Sequence, residues 1–123
     1  MTRANEWLDG YVRAWASKDE ADVRAIFTDD AEYWFRPDDP APVAGIDAIV
    51  EMWREPEPTD PIHDLSVLIE DDRLAVIKGT VEYPGHATYS NLWEVWFAPD
   101  GRAIRFVEWF MTPRGEDESD GDA

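Results

Sequence analysis

Two glutamates in the C-terminal third sit where an acid–base group could work. The stretches Tyr89-Ser-Asn-Leu-Trp-Glu-Val-Trp-Phe97 and Ala103-Ile-Arg-Phe-Val-Glu-Trp-Phe-Met111 are rich in β-branched and aromatic residues and read as strands. Side chains of a strand alternate between its faces. One face therefore carries Tyr89, Asn91, Trp93, Val95 and Phe97, with Ile104, Phe106, Glu108 and Phe110. The other carries Ser90, Leu92, Glu94 and Trp96, with Arg105, Val107, Trp109 and Met111. Periodicity leaves open which face points inward. A carboxyl in an apolar pocket is desolvated, and its pKa rises toward the neutral range a general acid or base needs. Glu108 is that group on the first face, with Asn91 beside it; Glu94 is its counterpart if the faces are reversed. A structural reading also stands: Glu108 pairs with Arg36, or hydrogen-bonds to Asn91 or a tyrosine.

The remaining chemical groups are sparse. His86 falls in a turn beside Gly85 and reads as a solvated loop residue. His63 opens a strand next to Asp64, and neighbouring strand residues point to opposite faces, so the two make a poor acid–base pair. A metal centre needs three or four clustered ligands, and no His, Asp or Glu spacing supplies them. There is no cysteine, which excludes disulfides and thiolate sites. There is no glycine-rich phosphate loop and no basic cluster for a nucleotide, so no cofactor is expected.

The elements that position these groups can be read from the chain. Residues 4–17 show a helical stripe, Trp7, Tyr11 and Trp15, with Leu8 and Val12 alongside. Asp19 has the character of an N-cap, and a short second helix carries Val23, Ile26 and Phe27 inward, ended by Asp29-Asp30. Ala31 to Phe35 alternates as a strand. The proline-rich segment from Arg36 is a loop. Gly45 opens a third helix with Ile46, Ile49, Val50 and Trp53 at i, i+3, i+4 and i+7. Strands then follow at His63–Ile69 and Leu74–Tyr83, separated by Asp71-Asp72. Pro84-Gly85 leads into the hairpin, whose own turn is Pro99-Asp100-Gly101. The order is α-α-β-α-β-β-β-β. It describes one α+β domain over residues 1–113, three helices on a curved, mainly antiparallel sheet. An acidic tail, 114–123, is expected to be disordered.

The chain has 123 residues, 28 of them acidic and 11 basic, for a net charge of −17. Such a field repels nucleic acid and anionic membranes. Only Lys18 and Lys78 are lysines. An acidic, lysine-poor surface fits a protein adapted to high salt, where the short Debye length screens self-repulsion. No apolar leader opens the chain and no run is long enough to span a bilayer, so a cytoplasmic protein is expected.

Four pieces in order resemble the NTF2-like superfamily and its SnoaL-like group: Tyr11-Val-Arg-Ala-Trp15 with Lys18-Asp19; Ile26-Phe-Thr-Asp-Asp-Ala31; Val43-Ala-Gly-Ile-Asp-Ala-Ile49; and Phe97-Ala-Pro-Asp-Gly-Arg102 running on to Phe106-Val-Glu-Trp109. The resemblance spans residues 4–112. It implies a cone-shaped α+β fold with an interior pocket. Similarity to ketosteroid isomerases of this fold places Trp93, Phe106 and Phe110 at pocket-facing positions, so the Asn91/Trp93/Glu108 face is taken as the interior. The same similarity sets Tyr11 at the position of their oxyanion tyrosine. It sets Phe35 at that of their general base and Trp93 at that of their second acid, which implies that isomerase activity of that kind is absent. Neither the Arg-plus-two-Asp set of epoxide hydrolases nor an interior His–Asp pair is found.

The expected wall is aromatic: Trp7, Trp15, Tyr33, Phe35, Trp53, Tyr83, Trp93, Phe106 and Phe110, with Glu108 as acid/base and Tyr11 and Asn91 positioning a ligand. The outer face, Leu92, Trp96, Val107, Trp109 and Met111, is an apolar patch, and the resemblance implies a homodimer through it. The expected function is binding of a small apolar molecule, with cofactor-independent lyase, isomerase or hydrolase chemistry within reach. A non-catalytic ligand-binding or dimer-mediated interaction module is the alternative.

Overall fold

The fold is that of a computed structural model describing residues 2–55 and 60–112. The expected acidic tail lies outside the described residues. Helix α1 spans Arg3–Ser17. It opens because Thr2 accepts a hydrogen bond from the Asn5 amide, and it closes on Lys18 in the left-handed region at φ 58°. Trp7, Leu8, Tyr11 and Ala14 form its buried stripe. Helix α2 spans only Glu20–Arg24, capped by Asp19.

Strand β1, Phe27–Trp34, begins earlier than the alternation at Ala31 suggests. Ile26 and Phe27, expected in the second helix, lie beyond it. The reason is tertiary. The Ile26 carbonyl accepts from the Ala103 amide and from the Trp7 indole, each at 2.8 Å, which holds the chain extended. Asp29 and Asp30 do not end a helix. They occupy an exposed part of β1, where the pairing register slips between Phe27 and Glu32. Phe35 falls just outside the strand. The two-residue strand β2, Val43–Ala44, is too short to show a period; it pairs antiparallel with β1. Gly45, at φ 91°, then turns the chain into α3, Ile46–Trp53, which buries Ile46, Ile49, Val50 and Trp53.

Strands β3 (Ile62–Glu70), β4 (Leu74–Tyr83), β5 (Ala87–Phe97) and β6 (Ala103–Met111) form an antiparallel meander. The sheet order is β2-β1-β6-β5-β4-β3, and β1 runs parallel to β6. Asp71 makes the β3–β4 turn by accepting from the Arg73 and Leu74 amides, which holds its carboxyl below the usual carboxylate range. Gly101, at φ 91°, makes the last turn. The register shifts between Trp96 and Phe97, opposite Ile104. Ile104 is thereby 41% exposed, although simple alternation puts it on the inner face.

The helices cover one face of the sheet. Phe106 and Trp93 are buried there, with Tyr11 and Trp7 of α1 stacked on Phe106 at 5.7 and 6.0 Å. Glu94 lies on the opposite face. It accepts from the indoles of Trp96 (3.1 Å) and Trp109 (2.7 Å). Glu32 does the same for Trp34 and also meets Arg105 at 3.3 Å. Val107, expected in the exposed patch, is already buried within the monomer. Leu92 and Trp96 are half-buried, whereas Trp109 and Met111 are exposed. No helix among the described residues is long and apolar enough to cross a membrane.

Candidate functional site

A cavity of about 520 Å³ opens between the helices and the inner face of the sheet. That is within the usual range for small-molecule sites. Helix α1 contributes Tyr11 and Trp15, and Lys18 follows it; α3 contributes Met52 and Trp53, followed by Glu55. The sheet contributes Tyr33 from β1, Val81 and Tyr83 from β4, Ala87, Tyr89, Asn91 and Trp93 from β5, and Glu108 and Phe110 from β6. Phe35, after β1, and His86, in the β4–β5 turn, complete the lining.

Phe106 and Trp7 do not line it. Phe106 is fully buried, stacked on Tyr33 at 4.6 Å and on Tyr11, so those two rings stand between it and the space. It is the floor beneath the wall. Trp7 packs deeper still, against Phe27, Phe97 and Phe106. His86 is exposed in its turn, as expected, and that turn also borders the cavity. Tyr89 was legible by alternation as inward-facing. Lys18, Met52, Glu55, Val81 and Ala87 carry no sequence signal for a pocket; only the packing of α1 and α3 across the sheet brings them there.

Glu108 is the chemically distinctive group. Burial among apolar side chains pushes its carboxyl from 4.5 up to about 7. The Trp93 indole, directly across the β5–β6 ladder, opposes that rise but does not reach hydrogen-bonding geometry. Arg36 is engaged elsewhere, with Asp38 at 3.5 Å, and among the described residues Glu108 forms no ion pair. At neutral pH the carboxyl is thus divided between its two forms and can take up or release a proton. Tyr11 and Tyr33 meet hydroxyl to hydroxyl at 3.2 Å. Burial, with Tyr11 and Glu108 nearby, holds Tyr33 well above the usual phenol range, so its hydroxyl stays neutral.

Among the described residues, two further polar atoms of lining residues are buried without a hydrogen-bond partner, the Trp93 Nε1 donor and the Asn91 Oδ1 acceptor. The Asn91 amide nitrogen donates to the Tyr89 carbonyl at 3.4 Å, which orients the group. His63 stacks on Trp15 at 5.5 Å. Among the described residues, no three His, Asp or Glu side chains cluster as metal ligands would.

The comparisons with known proteins agree with this architecture. An NTF-2-like protein of unknown function from Burkholderia xenovorans superposes with a TM-score of 0.71 at 18% identity, over 96% of this chain and 91% of that one. A steroid delta-isomerase from Pseudomonas aeruginosa gives 0.67 at 17% identity, over 99% and 89%. An LEH-like epoxide hydrolase from M. tuberculosis gives 0.64 at 14%, over 89% and 83%. At such identities these show the fold alone. No protein of curated function matches the sequence. The SnoaL-like domain profile matches residues 8–115, nearly the whole described chain. The chain therefore belongs to the SnoaL-like domain family and has the NTF2-like fold.

Proposed function

We propose that the cavity binds a neutral, largely apolar small molecule and that Glu108 moves a proton on it. The observation carrying this reading is a carboxyl with no ion-pair partner among the described residues, raised to about 7, on the wall of an aromatic cavity of about 520 Å³. Above neutrality Glu108 is a base able to take a proton from carbon or oxygen; below it, an acid able to return one. Tyr11, held by Tyr33, and Asn91 position the ligand. The aromatic lining supplies the apolar surface, and Phe35 and Phe110, each nearly half exposed, guard the entrance. A steroid delta-isomerase and an LEH-like epoxide hydrolase share this fold, which supports a small-molecule reaction as its use.

The test does not require the natural substrate. Cyclic ketones incubated with the protein in D₂O are expected to exchange α-protons, followed by NMR. The rate should rise with pH through about 7. Glu108→Gln should lower it by roughly 10²–10⁴-fold, the usual contribution of a general base. Glu108-independent exchange, together with a directly titrated Glu108 near 4, would leave a binding pocket and remove the catalyst.

The same reading extends to assembly and setting. Trp109 and Met111, with half-buried Leu92 and Trp96, leave an apolar strip on the outer face that a second copy would cover. Glu94 satisfies two of the indoles in that strip, which lets them be buried without an orphaned N–H. A homodimer is expected in molar KCl, in a cytoplasm of high salt, with a melting temperature that climbs as salt is added. Sedimentation as a monomer at every salt concentration would remove the dimer; a flat melting temperature would remove the salt adaptation.

A further inference from the structure

The cavity wall sets aromatic rings beside a carboxyl, and that pairing suits a kind of ligand other than a neutral one. Neighbouring rings of the lining stand nearly at right angles: Tyr11 to Trp15 at 75° and to Trp53 at 80°, Tyr83 to Tyr89 at 75°, and Tyr89 to Phe110 at 86°. Rings set like adjoining walls of a box turn faces, and not only edges, to the space they enclose. The face of an aromatic ring is the negative side of its quadrupole and attracts a cation. One wall already holds a cation of the protein itself: the Lys18 Nζ lies 6.0 Å from the centre of the Trp53 ring. Glu108 borders the same space and is half-buried, so it is not sealed from it. The Trp93 indole lies against its carboxyl, but among the described residues no Lys, Arg or His nitrogen pairs with it. Tyr11, Tyr33, Tyr83 and Tyr89 bring phenols to the lining, and Lys18, half-buried, stands there with exposed Glu55 and His86. The chain as a whole, at −17, draws cations and repels anions.

Resting on the reading that the cavity binds a small molecule beside Glu108, we infer that it also takes an organic ammonium, a tertiary or quaternary amine with apolar substituents, held between the aromatic walls and the Glu108 carboxylate. The two ligand classes meet opposite forms of the acid. A neutral ligand meets the protonated carboxyl, and a cation meets the carboxylate. In both cases ligand and acid together carry no net charge, which is what an apolar space requires. A tertiary amine reaches this state by taking the Glu108 proton, the O–H bond breaking as the N–H bond forms. A quaternary ammonium reaches it as Glu108 releases that proton to water. Away from bulk water the attraction between the two charges is strong. Apolar substituents on the nitrogen fill the rest of the box against the ring faces. An anionic ligand has no such place, because it would stand against both Glu108 and the rings.

Two probes of one shape test this: 4-tert-butylbenzyl alcohol, and the cation in which a trimethylammonium group replaces its tert-butyl group. Each is titrated calorimetrically into the full-length protein at a fixed molar concentration of KCl, which screens the general acidic surface. Near pH 8 the cation should bind at least about tenfold more tightly than the alcohol. That advantage should shrink by at least about tenfold as Glu108 takes up its proton below about 7. The alcohol should bind no more weakly at the lower pH. The pH series should be the same in His86→Gln, so that the histidine of the lining cannot supply the change. Glu108→Gln should remove the advantage of the cation and keep the affinity of the alcohol. Trp15→Leu, at a half-buried ring, should reduce the advantage as well. Equal affinities near pH 8, an advantage that survives in Glu108→Gln, or a pH dependence lost in His86→Gln overturns the inference and leaves a pocket for neutral ligands. Failure of both probes to bind overturns the inference and the pocket reading together. Cation binding that follows Glu108, without Glu108-dependent α-proton exchange, keeps the inference and removes the catalyst.

Discussion

Phe106→Ala is expected to lower stability by about 3–5 kcal/mol, the range for emptying a buried aromatic site. For a domain of this size that corresponds to a melting temperature lower by more than about 10 °C. Phe106 is fully buried and meets five rings: Tyr33 at 4.6 Å, Trp93 at 5.2 Å, Tyr11 at 5.7 Å, Trp7 at 6.0 Å and Phe27 at 6.4 Å. Those rings come from α1, β1 and β5. Small shifts of one would not close the space, because each is held by further contacts; Trp7, for example, donates to the Ile26 carbonyl. The matched control is Phe110→Ala, two turns of the pleat away. Phe110 is 48% exposed, so its loss should cost less than about 1 kcal/mol while weakening ligand binding. Denaturant titrations of both variants in high salt measure the contrast. A loss below about 1 kcal/mol for Phe106→Ala would mean that the floor of the cavity is not packed as described.

The second expected result concerns pH. Glu108→Gln should leave stability nearly unchanged at pH 4 and raise it, relative to the parent, by up to roughly 3 kcal/mol at pH 8. The sign follows from the direction of the shift. The carboxyl titrates at about 4.5 when exposed and at about 7 in the fold. Between those values the folded protein keeps a proton that the unfolded chain has released. The stability associated with the protonated acid is complete below 4.5 and is lost as pH rises through 7. The difference between 4.5 and about 7, at about 1.4 kcal/mol per pKa unit, makes roughly 3 kcal/mol. Gln keeps the shape and never ionises, so it escapes the loss. The other carboxylates titrate in both proteins and cancel in the difference. A difference that stays flat from pH 4 to 8 would place Glu108 in contact with solvent and would withdraw the acid–base proposal. If the difference rises as expected while α-proton exchange collapses, one residue will have been shown to trade stability for reactivity.

Much of this molecule was legible before any coordinates. Trp7, Tyr11, Ile49 and Trp53 lie on helical stripes because a helix that buries one side must repeat near 3.6, and that period survives in a single sequence. Strands β4, β5 and β6 and their turns were legible for a similar reason, from period two and from the Pro99-Asp100-Gly101 turn. Local chemistry of that kind depends only on neighbours in the chain. Where it was misleading, a distant partner had intervened. Ile26 and Phe27 leave the helix because Ala103 and Trp7, far away in sequence, claim the Ile26 carbonyl. Ile104 turns outward because β6 slips against β5. The face assignment of Glu108 and Glu94 could not come from alternation, which treats both faces alike; burial of one and the indole contacts of the other separate them. The cavity belongs wholly to the tertiary level. Its volume is what α1 and α3 leave unfilled above Phe106, and a void has no residue of its own to write in the sequence.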